Sequence, residues 1–192
     1  MIPACFQHVS GWLDAPDQKL HRGTFDSLAN WLPWRQETIR AYGREHAVPR
    51  MTAWFGDAPY TYSGVRHDPA PMPGTIDVIR RRLEDELGAR FNTCLANLYR
   101  GGHDSVAWHS DDEPELGTDP VIASVSLGAV RTFAIREART DDPMRWTFPL
   151  GHGDLLVMRG ESQRLYQHSV PKTARPVLPR INLTFRLTQE IL

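Results

Sequence analysis

The sequence predicts a mostly β fold with flanking helices, and two observations carry that expectation. From residue 90 onward, short alternating β-prone segments follow one another, separated by turn residues. Ahead of them stand two segments whose apolar residues recur at helical spacing. About eight short strands with turns between them favour a sandwich or a jelly roll over βαβ units. The 192 residues, 41% hydrophobic and 23% charged, suffice for one compact domain with a full core and fall short of two.

The first helix is expected over residues 24–32, where Phe25, Leu28, Trp31 and Leu32 form one stripe that ends at Pro33. In the second, Thr75 is the expected N-cap, Ile76, Ile79, Leu83 and Leu87 are the apolar face, and Gly88 stands at the C-terminal cap. Its other face carries Arg80, Arg81, Arg82, Glu84, Asp85 and Glu86 and is expected to meet water. Residues 59–74, with Pro59, Pro69, Pro71 and Pro73, read as a long irregular loop with little strand. Strands are predicted at 91–99, 105–109, 121–127, 131–136, 144–149, 154–158, 164–169 and 180–187. The breaks between them fall at glycines and at Asp141-Asp142-Pro143.

Charge restricts the partners. With 22 Lys and Arg against 23 Asp and Glu, bulk attraction to nucleic acid or an anionic membrane is excluded, so any polyanion must be met by local patches. Only Lys19 and Lys172 are lysines; the remaining cations are arginines, which suit bidentate recognition of anions. Cys5 and Cys94 are too few for a disulfide framework or a zinc cluster, which suggests a reducing, cytoplasmic compartment. No apolar run is suited to a signal peptide or a membrane span, so a soluble chain without a membrane partner is expected.

The last predicted strand alternates strictly. Ile181, Leu183, Phe185 and Leu187 are apolar, while Arg180, Asn182, Thr184 and Arg186 share the other face. Asn97 and Tyr99 alternate with Leu98 in the same way. Such a polar face serves water or a dianion equally well, the two arginines lying roughly 20 Å apart along an extended strand. Trp108-His109-Ser110-Asp111 adds a His-x-Asp pair, which a strand presents on one side. His168, in Tyr166-Gln167-His168-Ser169, lies in a second β-prone segment and completes two histidines and one carboxylate, the donor set of non-haem Fe(II) oxygenases. A lone His-x-Asp is a weak signal.

Taken in order, Asn97-Leu98-Tyr99, Trp108 to Pro114, Ile122 to Gly128, Gln167 to Pro171 and Arg180 to Arg186 closely resemble the AlkB family of Fe(II)- and 2-oxoglutarate-dependent dioxygenases. The likeness runs from Pro49-Arg50 to the end. It implies a double-stranded β-helix (jelly roll) over 91–192. Residues 1–90 would form an N-terminal extension, flanking helices and a nucleotide-recognition lid on the same compact domain.

The resemblance also implies roles. His109, Asp111 and His168 would bind Fe(II), with 2-oxoglutarate and O2 as cosubstrates. Arg180 would hold the far carboxylate of 2-oxoglutarate and Arg186 would lie nearer the metal, with hydrogen bonds from Asn97, Tyr99, Asn182 and Thr184. Tyr60 and Tyr62 would stack on an extruded base, and Asp112 and Glu113 would favour one made cationic by alkylation. The implied activity is oxidative demethylation of alkylated bases such as N1-methyladenine and N3-methylcytosine in DNA or RNA, giving succinate and formaldehyde. Pro49 to Gly56 and Asp104 to Pro114 resemble the branch that prefers single strands. Lys172 and Arg175 alone occupy the place of the duplex-binding branch's basic cluster, and Tyr42 is a loose counterpart of its aromatic wedge. A monomer is expected. The competing readings are the same chemistry on a protein, a lipid or a regulatory RNA, and a jelly-roll metal-binding module without turnover.

Overall fold

The computed structural model describes residues 1–14, 23–41, 44–57, 60–62 and 65–189. Before residue 91 lie strands β1 (Phe6–Val9), β2 (Thr38–Ala41), β3 (Arg44–Ala47), β4 (Met51–Gly56), β5 (Tyr60–Tyr62) and β6 (Val65–His67). Helices α1 (Thr24–Trp31) and α2 (Gly74–Leu87) fall in the same stretch. Then come β7 (Thr93–Tyr99), β8 (Val106–His109), β9 (Ile122–Gly128), β10 (Arg131–Glu137), β11 (Arg145–Leu150) and β12 (Leu155–Met158). A short helix, α3 (Ser162–Leu165), precedes β13 (Tyr166–Val170) and β14 (Arg180–Arg186).

Six strands form an antiparallel major sheet in the order β1-β12-β9-β14-β7-β4, and four form a minor sheet in the order β11-β10-β13-β8. All eight strands expected after residue 90 are present, with ends displaced by one or two residues. The first ninety residues do more than cover this core, since β1 and β4 supply both edges of the major sheet.

Two apolar layers hold the sheets in place. Tyr99, Ile122, Leu156 and Met158 of the major sheet pack against Phe133, Ile135, Leu150 and Val170 of the minor one. On its other face, Val125, Ile181, Leu183 and Phe185 pack with Leu28 of α1 and Ile76, Ile79 and Leu83 of α2. Covered on both sides, β14 is buried along its whole length. Burying apolar surface on that scale is the main source of stability, at about 25 cal/mol per Å² removed from water.

Three local expectations are corrected. Helix α2 starts at Gly74 and not after Thr75, because the extended Pro73 supplies the carbonyl that accepts the first helical bond from the Asp77 N–H. Gly88 does cap the C-terminus, at φ 61°. The charged side of α2 is not uniformly solvated. Arg82 lies 3.9 Å over the Trp12 ring and donates to its carbonyl, while Arg80 bridges Asp77 and Glu84, so that these side chains are largely covered. Finally, residues 59–74 hold a β-hairpin, β5 pairing with β6 through Tyr60↔His67 and Tyr62↔Val65. A hairpin this short has too little alternation to stand out between prolines.

Asp154 secures the β1 edge. Its carboxylate accepts from the Gly11 and Gly151 amides at 2.9 and 2.8 Å and lies 3.1 Å from His8 Nε2. Burial raises the pKa of this carboxyl, but the two amides and His8 outweigh it and hold it below the usual range. A carboxyl depressed in the folded state stabilises above its unfolded pKa of about 3.9, and that stability is lost as pH falls through the folded value. Replacing Asp154→Ala should cost about 2 kcal/mol, measured by urea unfolding at neutral pH. Asp154→Asn should flatten the loss of stability below pH ~4.

Candidate metal centre

The minor sheet brings the two histidines together. His168 of β13 is the direct cross-strand partner of His109 at the end of β8, and a bulge separates this pair from Val170↔Val106. Their rings stand 4.2 Å apart between centroids. Asp111 follows two residues after His109, and its loop is fastened from behind. The Asp111 amide donates to Gln163 Oε1 at 2.9 Å, and Ser110 Oγ donates to the Tyr166 carbonyl at 2.9 Å. One ligating atom from each of His109, Asp111 and His168 falls within 4.8 Å of the others.

The protonation states suit a cation. Burial pushes the His168 pKa down to about 3, helped by the charges of His109 and Arg186 and opposed by Asp111, and burial also lowers that of His109. Both imidazoles are therefore neutral at pH 7. Burial opposes ionisation of Asp111, yet the Arg186 guanidinium and the two histidines override it and bring its pKa to about 2. His109 Nδ1 lies 2.9 Å from the Ala107 carbonyl, which fixes that nitrogen as the donor and leaves Nε2 with its lone pair, 3.7 Å from Asp111 Oδ1. Arg186 donates Nε and Nη2 to Asp111 Oδ2 at 3.0 and 2.7 Å, while the buried Oδ1 accepts no hydrogen bond from the described residues. Two neutral nitrogens and one directed anionic oxygen fit Fe(II), with coordination positions left for other ligands.

Beside this cluster lies the polar face of β14, and it does not meet water. Arg180, Asn182, Thr184 and Arg186 are 2%, 7%, 7% and 3% exposed. Across the sheet Arg180 pairs with Tyr99 and Asn182 with Asn97. Thr184 donates to Asn182 Oδ1 at 2.9 Å, Asn182 donates to Ser124 Oγ at 2.7 Å, and Arg180 Nη2 donates to Ser126 Oγ at 2.9 Å. The Arg180 guanidinium lies 5.2 Å from the Tyr99 ring centre, and its Nε and Nη1 have no hydrogen-bond partner among the described residues. A fully buried cation facing a hydroxyl and a ring in place of a carboxylate is a receptor for an anionic group.

All nine residues expected around iron and 2-oxoglutarate thus line one cavity, joined by Arg50, Leu95, Ser124 and Phe133. Arg50, buried at the start of β4, donates Nε to Asn97 Oδ1 at 2.6 Å, and Phe133 stacks on His168 at 5.5 Å. Sequence reasoning singled out neither of these nor Gln163. Arg50 preceded a strand that alternation had not marked, and Gln163 lies on a single helical turn with no periodicity to display. Of the expected substrate contacts, two can be placed relative to this cavity. Asp112 is exposed and Glu113 is half-buried ahead of a 3₁₀ turn at Pro114–Leu116, and neither lines this cavity. Tyr60 and Tyr62 lie on β5, with side chains outside the described positions, and Tyr42 lies outside the described residues.

The profile of the 2OG-Fe(II) oxygenase superfamily matches residues 6–186, and the chain belongs to that superfamily. It is 43% identical over 169 residues to the human alpha-ketoglutarate-dependent dioxygenase alkB homolog 3, covering 84% of this chain and 59% of the relative. Identity to the human DNA oxidative demethylase ALKBH2 is 39% over 156 residues, covering 77% of this chain and 60% of the relative. The chain therefore spans about three fifths of the length of these curated relatives. The solved structure of OsALKBH1 shares the fold, with a TM-score of 0.67 at 18% identity, covering 97% of this chain and 99% of that one.

The ligand geometry is tested by divalent metal alone. Manganese(II) should raise the melting temperature of the wild type, and His109→Ala, Asp111→Ala or His168→Ala should each abolish that rise. Arg180→Ala should retain the manganese effect and lose the further rise produced by 2-oxoglutarate. Scanning fluorimetry reads both.

Proposed function

We propose that this protein removes methyl groups oxidatively from alkylated bases in nucleic acid, consuming 2-oxoglutarate and O2 and releasing succinate and formaldehyde. The buried guanidinium of Arg180, which forms no ion pair among the described residues and stands beside the His109, Asp111 and His168 cluster, is the observation that carries the reading. It supports a dicarboxylate cosubstrate bound with one end at Arg180 and the other beside the metal ligands.

Bound iron with 2-oxoglutarate and O2 would supply the oxidising power for hydroxylating an N-methyl carbon. The rest falls to the chain. His109 and His168 present neutral nitrogens, and Asp111 presents one carboxylate oxygen while Arg186 occupies the other. Arg186 thereby keeps Asp111 ionised and in one orientation. Asn182, Thr184 and Ser124 bond to one another, so the strand face beneath the cosubstrate is rigid. Phe133 against His168, and Val106 and Val170 beside it, limit water around the cluster.

Base recognition is assigned to Tyr60 and Tyr62 as stacking surfaces and to Asp112 and Glu113 as carboxylates attracting a cationic ring. Near-neutral charge and the sparse cations after His168 support single-stranded DNA or RNA over duplex, and the chain is proposed to act as a monomer. The named relatives include a DNA oxidative demethylase, which favours nucleic acid over a protein or lipid substrate.

Mass spectrometry of oligonucleotides carrying N1-methyladenine or N3-methylcytosine, incubated with enzyme, iron, ascorbate and 2-oxoglutarate, should show methyl loss, faster on single strands than on duplex. Failure on every oligonucleotide alongside turnover on methylated peptides would reject the reading. Glu113→Ala should slow methyl loss by at least about tenfold, roughly the 1.4 kcal/mol of one charge-assisted contact. Succinate formed without substrate should stay near the wild-type rate.

A further inference from the structure

Gln163 is a polar side chain that supplies no metal-binding atom and is nevertheless buried, at 5% exposure, on the single turn α3. A primary amide removed from water needs partners at both of its ends. Oε1 accepts the Asp111 N–H at 2.9 Å, and Nε2 donates to Ser162 Oγ at 3.1 Å and to Met158 Sδ at 3.5 Å. A backbone N–H can only donate, so the end of the side chain that meets Asp111 must be oxygen. That fixes the orientation of the amide and leaves its nitrogen for a hydroxyl and a thioether, both acceptors.

The turn that carries Gln163 is closed by its own backbone. The Ser162 amide donates to the Arg159 carbonyl at 3.3 Å, and the Leu165 amide donates to the Glu161 carbonyl at 2.9 Å. Ser162 and Met158, the partners of Nε2, are 0% and 2% exposed, so the side chain has little room to swing. Tyr166 comes next and opens β13, the strand of His168, and its carbonyl accepts from Ser110 Oγ. Residues 162–168 therefore carry one candidate ligand and bond to the backbone and neighbour of another.

The two grips on Asp111 come from different layers. Arg186 holds Oδ2 from β14 of the major sheet, and Gln163 holds the main-chain nitrogen from the segment that leads into β13 of the minor sheet. Arg186 alone would leave the carboxylate free to pivot about the guanidinium as the loop shifts. With the amide also held, the separation between Asp111 Oδ1 and the His168 ring is set by one short stretch of chain.

We propose that Gln163 is a positioning residue of the metal centre, which sets the spacing of Asp111 from His168 through the Asp111 amide and thereby raises the affinity for a divalent cation. The proposal rests on His109, Asp111 and His168 being the metal ligands. It adds a side chain outside the donor set on which their affinity depends.

Manganese(II) titration tests it, followed by the electron paramagnetic resonance signal of the free ion, with urea unfolding of the metal-free proteins alongside. Gln163→Leu keeps an uncharged side chain of similar size and removes the acceptor, and its dissociation constant for manganese should rise by about tenfold or more. Gln163→Asn withdraws the acceptor by one carbon while remaining an amide, and it should lose as much, which carries the test if the leucine variant does not fold. Gln163→Glu restores an oxygen to the Asp111 N–H and should recover the binding. Bound cobalt(II) separates positioning from added charge, because its visible absorption reports the arrangement of its ligands. The wild-type bands should return in Gln163→Glu and be altered in the other two. Arg164→Gln, on the exposed side of the same turn, should bind manganese as the wild type does. Wild-type affinity and cobalt bands in the leucine and asparagine variants overturn the proposal, as does a glutamate variant as weak as they are. A wild type that binds no manganese instead rejects the ligand assignment itself, and this role for Gln163 with it.

Discussion

Arg186 and Asp111 form an ion pair that is 3% and 1% exposed, and the rest of the candidate site depends on it. Two charges removed from water cost several kcal/mol each unless geometry and hydrogen bonding compensate. Here both guanidinium donors converge on a single carboxylate oxygen, a geometry strong enough to fix the carboxylate plane. The pair also joins the central strand of the major sheet to the loop after β8 of the minor sheet. One contact therefore sets the spacing between the layers and the direction in which Oδ1 points.

Burial of both faces of β14 sharpens the consequence. Its odd residues meet an apolar helical layer, while its even residues are polar in a place where polar groups must find partners. Thr184, Asn182 and Ser124 satisfy one another, and Arg50 satisfies Asn97. Among the described residues Arg180, at one end of the strand, has two buried donors, Nε and Nη1, without a hydrogen-bond partner. Two unmet donors on one buried guanidinium mark where a ligand's charge belongs.

Much of this was legible in the residues. Period-two alternation located the strands after residue 90, and the order of short motifs gave the candidate ligands, because each sits on or next to a strand whose pattern is strong. What alternation left open was whether the even face of β14 met water. That depends on the minor sheet lying over it, a long-range fact. The strand β4 escaped for a related reason: Met-Thr-Ala-Trp-Phe-Gly is buried at nearly every position, so no polar side reveals its period. Pro73 concealed the true start of α2 by supplying a cap from its backbone, a role that side-chain capping rules do not detect.

Ser110 and Asp111 are bonded to the first residue of β13 and to α3 through a hydroxyl, an amide and neutral acceptors. None of these bonds needs a cation. The polypeptide around the candidate centre is thus tied by its own bonds, ties that domains collapsing only around their metal do not have. A loop fastened from behind in this way keeps its carboxylate aimed in one direction whatever occupies the space in front of it.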